Sequence, residues 1–476
     1  MDPRIVKDAV FDPVDHDRWV KLAEKALKGA EFENTLASHT DDGIRIDPLY
    51  PRRKDAPLLP RVKADAPWHM IQRVDDPDTA RAHAQLLDDL ENGATGLTLV
   101  FEGAPNAYGY GLPARPETLA EVLDGVHLDM IHLRIDAHPN SRACADWMAD
   151  YLQQRQIDPA NLSFSLGIDH SAVLASTGRL RMSINALRAS LPQSLSVFFS
   201  SELPGVFLEA DSRPYHNAGA TEAQELGATL AIAIGHLRMF DEARMPSVYA
   251  APHIGFALSV DQDQFVSIAK IRALRRLWQS AQEACGFTPT PARIHVETSM
   301  RMMTAKDPET NILRSTIAVF AAAVGGADSI CVLPHTQPLG LPDAFARRLA
   351  RNTQHVLCDE SNLGFVADAG SGSGGIEALT DALCEAGWVE FQKLETDGGI
   401  MESLVGGHLQ DRILRARDRR TEDYRSGKRS IIGTTLYPAK QERPVTLLEA
   451  RHMPVPTDGT VHCEPLPIQR IDETLN

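Results

Sequence analysis

The sequence predicts a (β/α)8 barrel with additional segments at both ends. Two observations predict this fold: eight short β-rich runs follow one another from about residue 67, and amphipathic helical segments separate most of them. A doubly wound parallel sheet is the rival, but the count of eight and the lack of a glycine loop after the first run favour the barrel. The runs are WHMIQRV, TGLTLVFE, MIHLRIDA, LSFSLGID, SLSVFFSS, IGFALSV, ARIHVET and DSICVLP.

The segments between these runs carry apolar residues at helical spacing, which predicts crossover helices. In a barrel of this kind the loops at the carboxyl ends of the strands carry the chemistry, so the residues just after each run are the first candidates for a site. Examples of the helical segments are DTARAHAQLLDDLENG, ETLAEVLDGV, SRACADWMADYLQQRQ, ATEAQELGATLAIAIGHLRMF and VSIAKIRALRRLWQSAQEA.

Four segments divide the chain. Residues 1–60 hold one helix pattern and then a Pro- and Arg-rich stretch, an arm that should lie extended against the body or a partner. The barrel is predicted over 61–345 and a helical region over 346–438. The Pro-rich tail, 439–476, is too short for a further domain of ordinary size.

Composition excludes several classes of function. A net charge of −16 argues against nucleic acid or an anionic membrane as the main partner. The six cysteines form no CxxC pair, so neither a disulfide framework nor a metal site is expected, and a reducing cytoplasm is the default location. No uninterrupted apolar run approaches the ~18 residues of a membrane-spanning helix.

A glycine loop near the C-terminal third resembles a dinucleotide-binding motif. Gly370, Gly372 and Gly375 fit G-x-G-x-x-G and precede a helical pattern. A dinucleotide fold also needs a second strand that ends in an acid about 20 residues further on, but Glu395, at that spacing, lies in a helix end. A flexible connection is therefore predicted rather than a nucleotide site.

Polar residues at two strand ends are candidates for chemistry. Asp136 and His138 form D-x-H-x-x-S, for which a surface loop is favoured over a ligand role. Tyr215 and His216 follow the fifth strand on the catalytic face. His216 could act as a general acid, or the pair could cap the next helix, and the residues alone leave both open.

The seventh run and the helix before it offer weaker candidates. Glu297 and Thr298 stand at the strand end, whereas His295 is predicted to be a satisfied core histidine. The basic stretch KIRALRRLWQ predicts either a solvated helix face or a subunit interface.

Several long segments together resemble the methylmalonyl-CoA mutase family of cobalamin-dependent acyl-CoA mutases. The resemblance covers roughly residues 40–440 and implies an acyl-CoA barrel followed by a helical linker. Tyr215 and His216 match the active-site Tyr-His of that family. The matching segments are YHNAGATEAQELGATLA, FVSIAKIRALRRLW, TSMRMMTAKDPETNILRSTIAVFAAAVGGADSI, LPDAFARRLARNTQHVLCDESNLGFVADAGSGSGGIEALTDAL and IIGTTLYP.

Departures from the family pattern cluster where its chemistry lies. Arg73 replaces the tyrosine that contacts substrate, so this contact is predicted to be lost. Cys331, Val332 and Leu333 stand where the family's H-T-N-S faces cobalamin, which makes them degenerate cofactor positions. Glu377 ends the family's D-P-x-G-G-S-Y-Y-x-E loop, and it too counts as degenerate because both tyrosines are replaced by glycine.

This pattern is similar to the small, non-catalytic subunits of the family. The resemblance implies no catalytic residue, cofactor or metal in this chain and no flavodoxin-like cobalamin domain. It implies a heterodimer with a large catalytic subunit, which holds adenosylcobalamin and interconverts methylmalonyl-CoA and succinyl-CoA in propionate metabolism. The N-terminal arm would pack on that subunit, and side chains would pack the barrel shut.

Two alternatives remain. The chain could be the substrate-binding subunit of a split mutase, of the isobutyryl- or 2-hydroxyisobutyryl-CoA type, with a separate cobalamin subunit. Retention of His216 supports this alternative, whereas Arg73 and Cys331 disagree with it. An independent barrel enzyme without cobalamin is the other, although no complete acid–base or metal constellation is visible in the sequence.

Overall fold

Eight parallel strands close into a barrel in the computed structural model, which describes residues 15–200, 204–456 and 458–475. Each strand pairs with its neighbours in chain order, and the last pairs with the first. The predicted (β/α)8 fold is confirmed. The strands are β1 His69–Val74, β2 Gly96–Leu99, β3 His132–Ile135, β4 Ser163–Ile168, β5 Val206–Asp211, β6 Ile254–Val260, β7 Arg293–Thr298 and β8 Ser329–Cys331.

Helices surround the barrel and extend beyond it at both ends of the chain. Those before β8 are α1 His16–Ala26, α2 Phe32–Leu36, α3 Thr79–Glu91, α4 Glu117–Val122, α5 Ser141–Gln154, α6 His170–Thr177, α7 Ile184–Ser200, α8 Arg213–Ala218, α9 Glu222–Glu242, α10 Ser247–Ala250, α11 Gln264–Ala284 and α12 Thr310–Gly325. After β8 come α13 Ala344–His355, α14 Gly374–Thr396, α15 Ile400–Val405 and α16 His408–Arg425. Among the described residues, no helix combines the length and apolar character needed to cross a bilayer.

The predicted fifth strand was wrong. The run SLSVFFSS lies largely at the end of α7, and β5 is the next apolar run, Val206–Asp211. The buried residues Leu187, Leu191, Leu195 and Phe198 recur every three or four positions, which is the helical period. A short apolar run alone fits either structure, and only the longer pattern upstream identifies the helix.

The arm lies along the chain's own body from about residue 40 onward. Asp41 forms ion pairs with Arg420 and Arg429, and the backbone N–H of Val62 donates to Asp328. By contrast, α1 and α2 bury none of their residues; Trp19 meets Phe32 edge-on with ring centroids 6.1 Å apart. Residues 1–14 of the predicted arm lie outside the described part of the chain.

The tail crosses the carboxyl-end mouth of the barrel, and its described residues 447–456 and 458–472 are here termed the C-terminal strap. Its backbone N–H groups donate to carbonyl oxygens in segments that follow five different strands. These bonds join Leu448 to Leu341, Met453 to Gly109, Leu466 to Ala175, Gln469 to Asn217 and Ile471 to Arg301. The strap therefore ties together the loops that carry chemistry in barrels of this fold.

Candidate functional site

Three strands end in charged residues two positions apart. Arg73 and Asp75 end β1, Arg134 and Asp136 end β3, and Glu209 and Asp211 end β5. Alternation along a strand places residues two positions apart on the same face. All six are at most 3% exposed and bond across the interior, so these pairs line the barrel axis near its carboxyl end.

Two arginines neutralise most of these carboxylates. Arg134 donates to Asp136 over 2.8 Å and also to Glu209. Arg213, at the start of α8, donates to Asp211 over 2.8 and 2.7 Å and also to Asp136. Burial opposes ionisation of Asp136, but the two guanidinium groups hold the pKa of this carboxyl well below its usual range. The network fills the space that an open barrel would leave for a ligand.

Arg73, for which the loss of a substrate contact is predicted, takes part in the same network. Its Nε donates to Asp75 over 2.6 Å, and its Nη1 lies 3.4 Å from Glu297. Arg347 on α13 donates to the second oxygen of Asp75 over 2.6 Å. Burial opposes ionisation here too, but Arg347 and Arg73 lower the pKa of Asp75 to about 2. Arg73 is thus an internal ion-pair partner.

The loop after β2 closes the network from above. Tyr108 donates its hydroxyl to Glu297 over 2.9 Å, and the guanidinium of Arg73 lies 4.9 Å from the centre of the Tyr108 ring. Asn106 donates its side-chain amide to Asp211 over 3.1 Å. Burial raises the pKa of Glu297 despite the nearby arginines. This loop occupies the carboxyl-end mouth, beneath the strap.

Tyr215 and His216, the family-matching pair, lie on α8 and are fully buried. His216 Nδ1 lies 2.9 Å from Glu225, and its Nε2 lies 2.9 Å from the hydroxyl of Ser299. Burial, together with Arg301, lowers the pKa of His216 to about 4, so the imidazole is neutral at pH 7. A Ser-His-Glu chain of contacts is also the pattern of an activated nucleophile, but no solvent reaches it here.

The capping alternative for that pair is wrong. Helix α9 is capped by Thr221, whose hydroxyl accepts from the backbone of Gln224 while the Gln224 side chain accepts from the backbone of Thr221. Lys270, on the basic helix α11, donates to Glu225 over 2.6 Å. His216 therefore belongs to a buried polar cluster that joins α8, α9, α11 and the loop after β7.

The degenerate cofactor positions are part of the core. Cys331, Val332 and Leu333 are at most 2% exposed. The backbone N–H of Leu333 donates to the Thr298 hydroxyl over 2.8 Å. Burial raises the pKa of the Cys331 thiol far above its ordinary value, so it stays protonated. These side chains offer a corrin edge neither exposed surface nor a hydrogen bond.

Glu377 and the glycine loop are held by the chain itself. Glu377 accepts from Arg272 over 2.7 Å and from the backbone N–H of Gly372 over 3.1 Å. Asp368, at the other end of the loop, accepts from the N–H of Gly370 over 3.2 Å and from Arg272. A phosphate-binding loop needs such N–H groups free to point at the ligand. The loop's own carboxylates occupy two of them, in line with the prediction that it binds no nucleotide.

Both interpretations of the basic helix were wrong. Lys270 and Arg272 are fully buried in the ion pairs just described. Arg275 donates to the carbonyl of Ala292 over 2.7 Å and to Asp328 over 2.9 Å. A sequence shows the charges on such a helix but not the acidic partners from distant segments that neutralise them.

Asp136 and His138 lie in the interior and not on a surface loop, so this expectation was also wrong. His138 is 4% exposed; its Nε2 lies 2.9 Å from the Glu102 carbonyl oxygen, and its Nδ1 accepts from the N–H of Asn140 over 3.0 Å. Both ring nitrogens are engaged, which leaves none for a metal. His295 is buried as predicted, with Nδ1 2.9 Å from the Ser329 hydroxyl, but its Nε2 has no hydrogen-bond partner among the described residues, so it is not the fully satisfied histidine that was expected.

Two groups of buried acidic residues and histidine have the spacing of a metal site. They are Asp136, Glu209 and Asp211, and His216, Glu222 and Glu225. The chain's own cations already neutralise both groups: Arg134 and Arg213 in the first, Lys270 and Arg301 in the second. A metal ion would have to displace a buried arginine or lysine, so we assign no metal to either group.

The amino-end mouth of the barrel is open. A cavity of about 490 Å³, here termed the N-terminal well, is lined by the starts of the strands. Its wall includes the rings of His69 and His132, stacked with centroids 5.1 Å apart, and Glu209 lines it toward the interior. Burial and neighbouring cations lower the pKa of His132 to about 3, so this imidazole is neutral. Charged side chains also line the well, among them Arg61, Lys63, Asp129, Arg293 and Asp328.

Sequence reasoning missed the residues that close the axis. Arg134, Glu209, Arg213, Asn106 and Tyr108 were not singled out. A signal for some of them was present, because LRID and LEAD place charges at alternate positions of otherwise apolar strands. Such a charge must find a partner inside the barrel. The loop residues Asn106 and Tyr108 carried no comparable signal.

Comparison with known proteins identifies the family. The family model described as methylmalonyl-CoA mutase matches residues 59–459. A methylmalonyl-CoA mutase small subunit from Streptomyces virginiae is 36% identical over 92% of this chain and 72% of its own length. The corresponding small subunit from Propionibacterium freudenreichii subsp. shermanii is 34% identical over 87% of this chain and 66% of its own length. The mitochondrial methylmalonyl-CoA mutase of Macaca fascicularis is 28% identical over 91% of this chain and 62% of its own length.

These relatives share the length of the barrel and not only a short motif. The match to the family model spans the barrel strands, the linker helices and part of the strap. The chain spans between 66% and 72% of the length of the two small-subunit relatives named here. By the extent of this match and by its barrel, the chain belongs to the methylmalonyl-CoA mutase family.

Proposed function

We propose that this chain is the non-catalytic small subunit of a heterodimeric, adenosylcobalamin-dependent methylmalonyl-CoA mutase. A large subunit would hold the cofactor and carry the isomerisation of methylmalonyl-CoA and succinyl-CoA in the cytoplasm. Relatives that are named methylmalonyl-CoA mutase small subunit support this role.

The filled barrel axis carries the proposal. A working site at the carboxyl end needs room for a substrate and groups that are free to contact it. Here Arg73, Arg134 and Arg213 each donate to the chain's own carboxylates, and all three are at most 1% exposed. To open this mouth would leave several buried charges without partners, which costs several kcal/mol.

The surface offered to the large subunit is proposed to include α1 and α2. These helices bury none of their residues, Leu22 is 55% exposed, and Trp19 and Phe32 pack on each other. The segment from Asp41 onward is already bound to the chain's own body. We therefore expect the arm to contact the large subunit through residues 1–39 more than through the extended stretch that follows.

Expression with and without a large subunit tests the proposal. Turnover of methylmalonyl-CoA and bound cobalamin should appear in the co-purified complex, and neither should appear in this chain purified alone. A second preparation lacks residues 1–39, and it should keep a folded barrel but fail to co-purify. Turnover by this chain alone, supplied with adenosylcobalamin, would overturn the non-catalytic role.

The split-mutase alternative keeps one observation in its favour, the retained Tyr215 and His216. It requires a free-standing cobalamin protein to reach the carboxyl-end mouth, which the C-terminal strap and the Tyr108 loop cover. Mixing this chain with such a protein and an isobutyryl- or 2-hydroxyisobutyryl-CoA substrate separates the two proposals. Turnover in that mixture would favour the alternative, and its absence alongside an active heterodimer would reject it.

A further inference from the structure

We propose that the glycine loop, residues 370–375, is a binding site for extended polypeptide backbone, and that its ligand is the chain's own arm at residues 50–53. The proposal does not depend on which reaction the assembled protein carries out. It assigns a role to Gly374, which lies within the loop but is not one of the three glycines of the nucleotide motif.

Close contact between two backbones is the first observation. The backbone N–H of Arg53 donates to the carbonyl oxygen of Gly372 over 3.2 Å. A Cβ atom built on Gly374 would overlap the carbonyl oxygen of Pro51 and stand 2.9 Å from its carbon. One built on Gly375 would stand 3.4 Å from the Tyr50 ring, which is an ordinary contact. Of these two glycines, only Gly374 is required by the arm.

The backbone conformation does not explain Gly374. It is the first residue of α14, and its φ lies outside the left-handed region that favours glycine. Any good helix former would fit this backbone position if the arm were absent. The lack of a side chain therefore matters because Pro51 lies against it.

Ion pairs and hydrogen bonds hold the arm on the C-terminal side of this contact. Arg53 forms an ion pair with Asp381 on α14, which also pairs with Arg276 on α11. Further along, the N–H of Leu59 donates to Asp368 over 2.8 Å, and Arg61 donates to the carbonyl oxygens of Gly364 and Val366 over 3.0 Å each. The arm thus stays beside the glycine loop and the segment before it from Pro51 to Arg61.

The glycine loop is fixed at both of its ends. Arg272 is fully buried and bridges Asp368 and Glu377, the residues that flank the glycines. Because both ends are fixed, the loop cannot move away to make room for a side chain at position 374.

Amide hydrogen exchange on the full chain tests whether the glycine loop holds the arm in place. In Gly374→Ala, the amides of Arg53 and Leu59 should exchange at least about tenfold faster than in the unchanged chain. The amides of β1 and β7 should be unaffected. The matched control is Gly235→Ala within α9, where an added Cβ meets nothing within 4 Å, and it should leave the arm protected. Gly375→Ala should resemble this control.

A second pair of variants tests the backbone hydrogen bond between Arg53 and Gly372 by changing the arm instead of the loop. Arg53→Pro deletes the N–H that donates to Gly372, whereas Arg53→Ala keeps it and removes only the ion pair with Asp381. Position 53 is on the surface, so neither change threatens the barrel. Faster exchange at Leu59 in Arg53→Pro than in Arg53→Ala is expected. Equal exchange in these two variants, together with normal protection in Gly374→Ala, would overturn the proposal.

Discussion

The two mouths of the barrel differ in how their inward-facing polar groups are satisfied. At the carboxyl end, charged residues from β1, β3, β5 and β7 pair with one another, and a loop and the strap cover them. At the amino end, histidine and serine side chains from β1, β3, β4, β7 and β8 face a well of about 490 Å³ that is open to solvent. Barrel chemistry ordinarily resides at the carboxyl end, yet that is the end closed here.

The difference shows on what condition a barrel can bury charged residues at one of its ends. Paired charges can fill an axis only when every charge has a partner, because an unpaired buried charge is strongly destabilising. Arg73 meets this condition through Asp75 and Glu297, and Glu297 also accepts from Tyr108. The histidine and serine side chains at the amino end are neutral and line a cavity that water can enter, so they tolerate empty space beside them.

The largest loss of stability is expected when buried ion pairs at the closed, carboxyl end of the barrel are removed. Arg134→Met would leave Glu209 and Asp136 short of a partner and should lower the free energy of unfolding by about 3–5 kcal/mol. The matched control is Arg293→Met at the start of β7, where the side chain is exposed at the open mouth; it should change that free energy by no more than about 0.5 kcal/mol. Urea denaturation measures both. Equal effects would remove the distinction between the two mouths.

The second-largest loss of stability is expected when a buried side chain of the strap is shortened. Leu466 is 1% exposed and its N–H donates to Ala175, so Leu466→Ala should cost about 2–3 kcal/mol of unfolding free energy. Val455, also in the strap, is 58% exposed, and Val455→Ala should cost no more than about 0.5 kcal/mol. If thermal unfolding of the Leu466→Ala variant matches that of the Val455→Ala variant, the strap is not packed on the mouth.

Histidine titration compares the two ends directly. Burial lowers the pKa of His216 at the closed end to about 4 and that of His132 in the well to about 3, below the unfolded value near 6.5. A folded-state pKa below the unfolded one contributes stability above pH 6.5, and this is lost as the pH falls toward the folded value. Each histidine should therefore lower the free energy of unfolding by roughly 1–2 kcal/mol as the pH falls from 7 to 5.

Imidazole proton NMR shifts measure these two pKa values. His216 is enclosed by Glu225, Ser299, Lys270 and Arg301, and it should show no titration above pH 5. Titration of His216 near pH 6.5 would mean that solvent reaches the closed end. Ordinary titration of His132 alone would mean that water in the well solvates its charged form, which would sharpen the contrast between the mouths.

The smallest effect is expected in the well. Ser329→Ala removes the hydroxyl that lies 2.9 Å from His295 Nδ1, and it should cost about 1 kcal/mol because water in the adjoining cavity can take its place. Ser315→Ala is the control, since this buried hydroxyl has no hydrogen-bond partner in the described structure, and its removal should be neutral or stabilising. A cost for Ser329→Ala comparable to that of Arg134→Met would show that the well is as tightly built as the closed end.

Most of the fold could be predicted from the sequence, because strands and helices follow from local periodicity. Seven of the eight predicted runs contain a barrel strand, and the exception, SLSVFFSS, failed because a short apolar run fits both a helix and a strand. The site could be predicted only in part. The substitution at Arg73 was visible as a departure from the family, but its partners Asp75 and Glu297 were not identified.

The sequence by itself determined the barrel and the family, and it predicted the positions at which side chains depart from the family pattern. Only the tertiary structure decided which contacts form: the ion pairs along the axis, the strap over one mouth, and the arm that packs on the glycine loop. The physical reason is distance along the chain. Arg73 and Glu297 are 224 positions apart, and a pattern read over ten or twenty residues contains no information about which buried charge meets which.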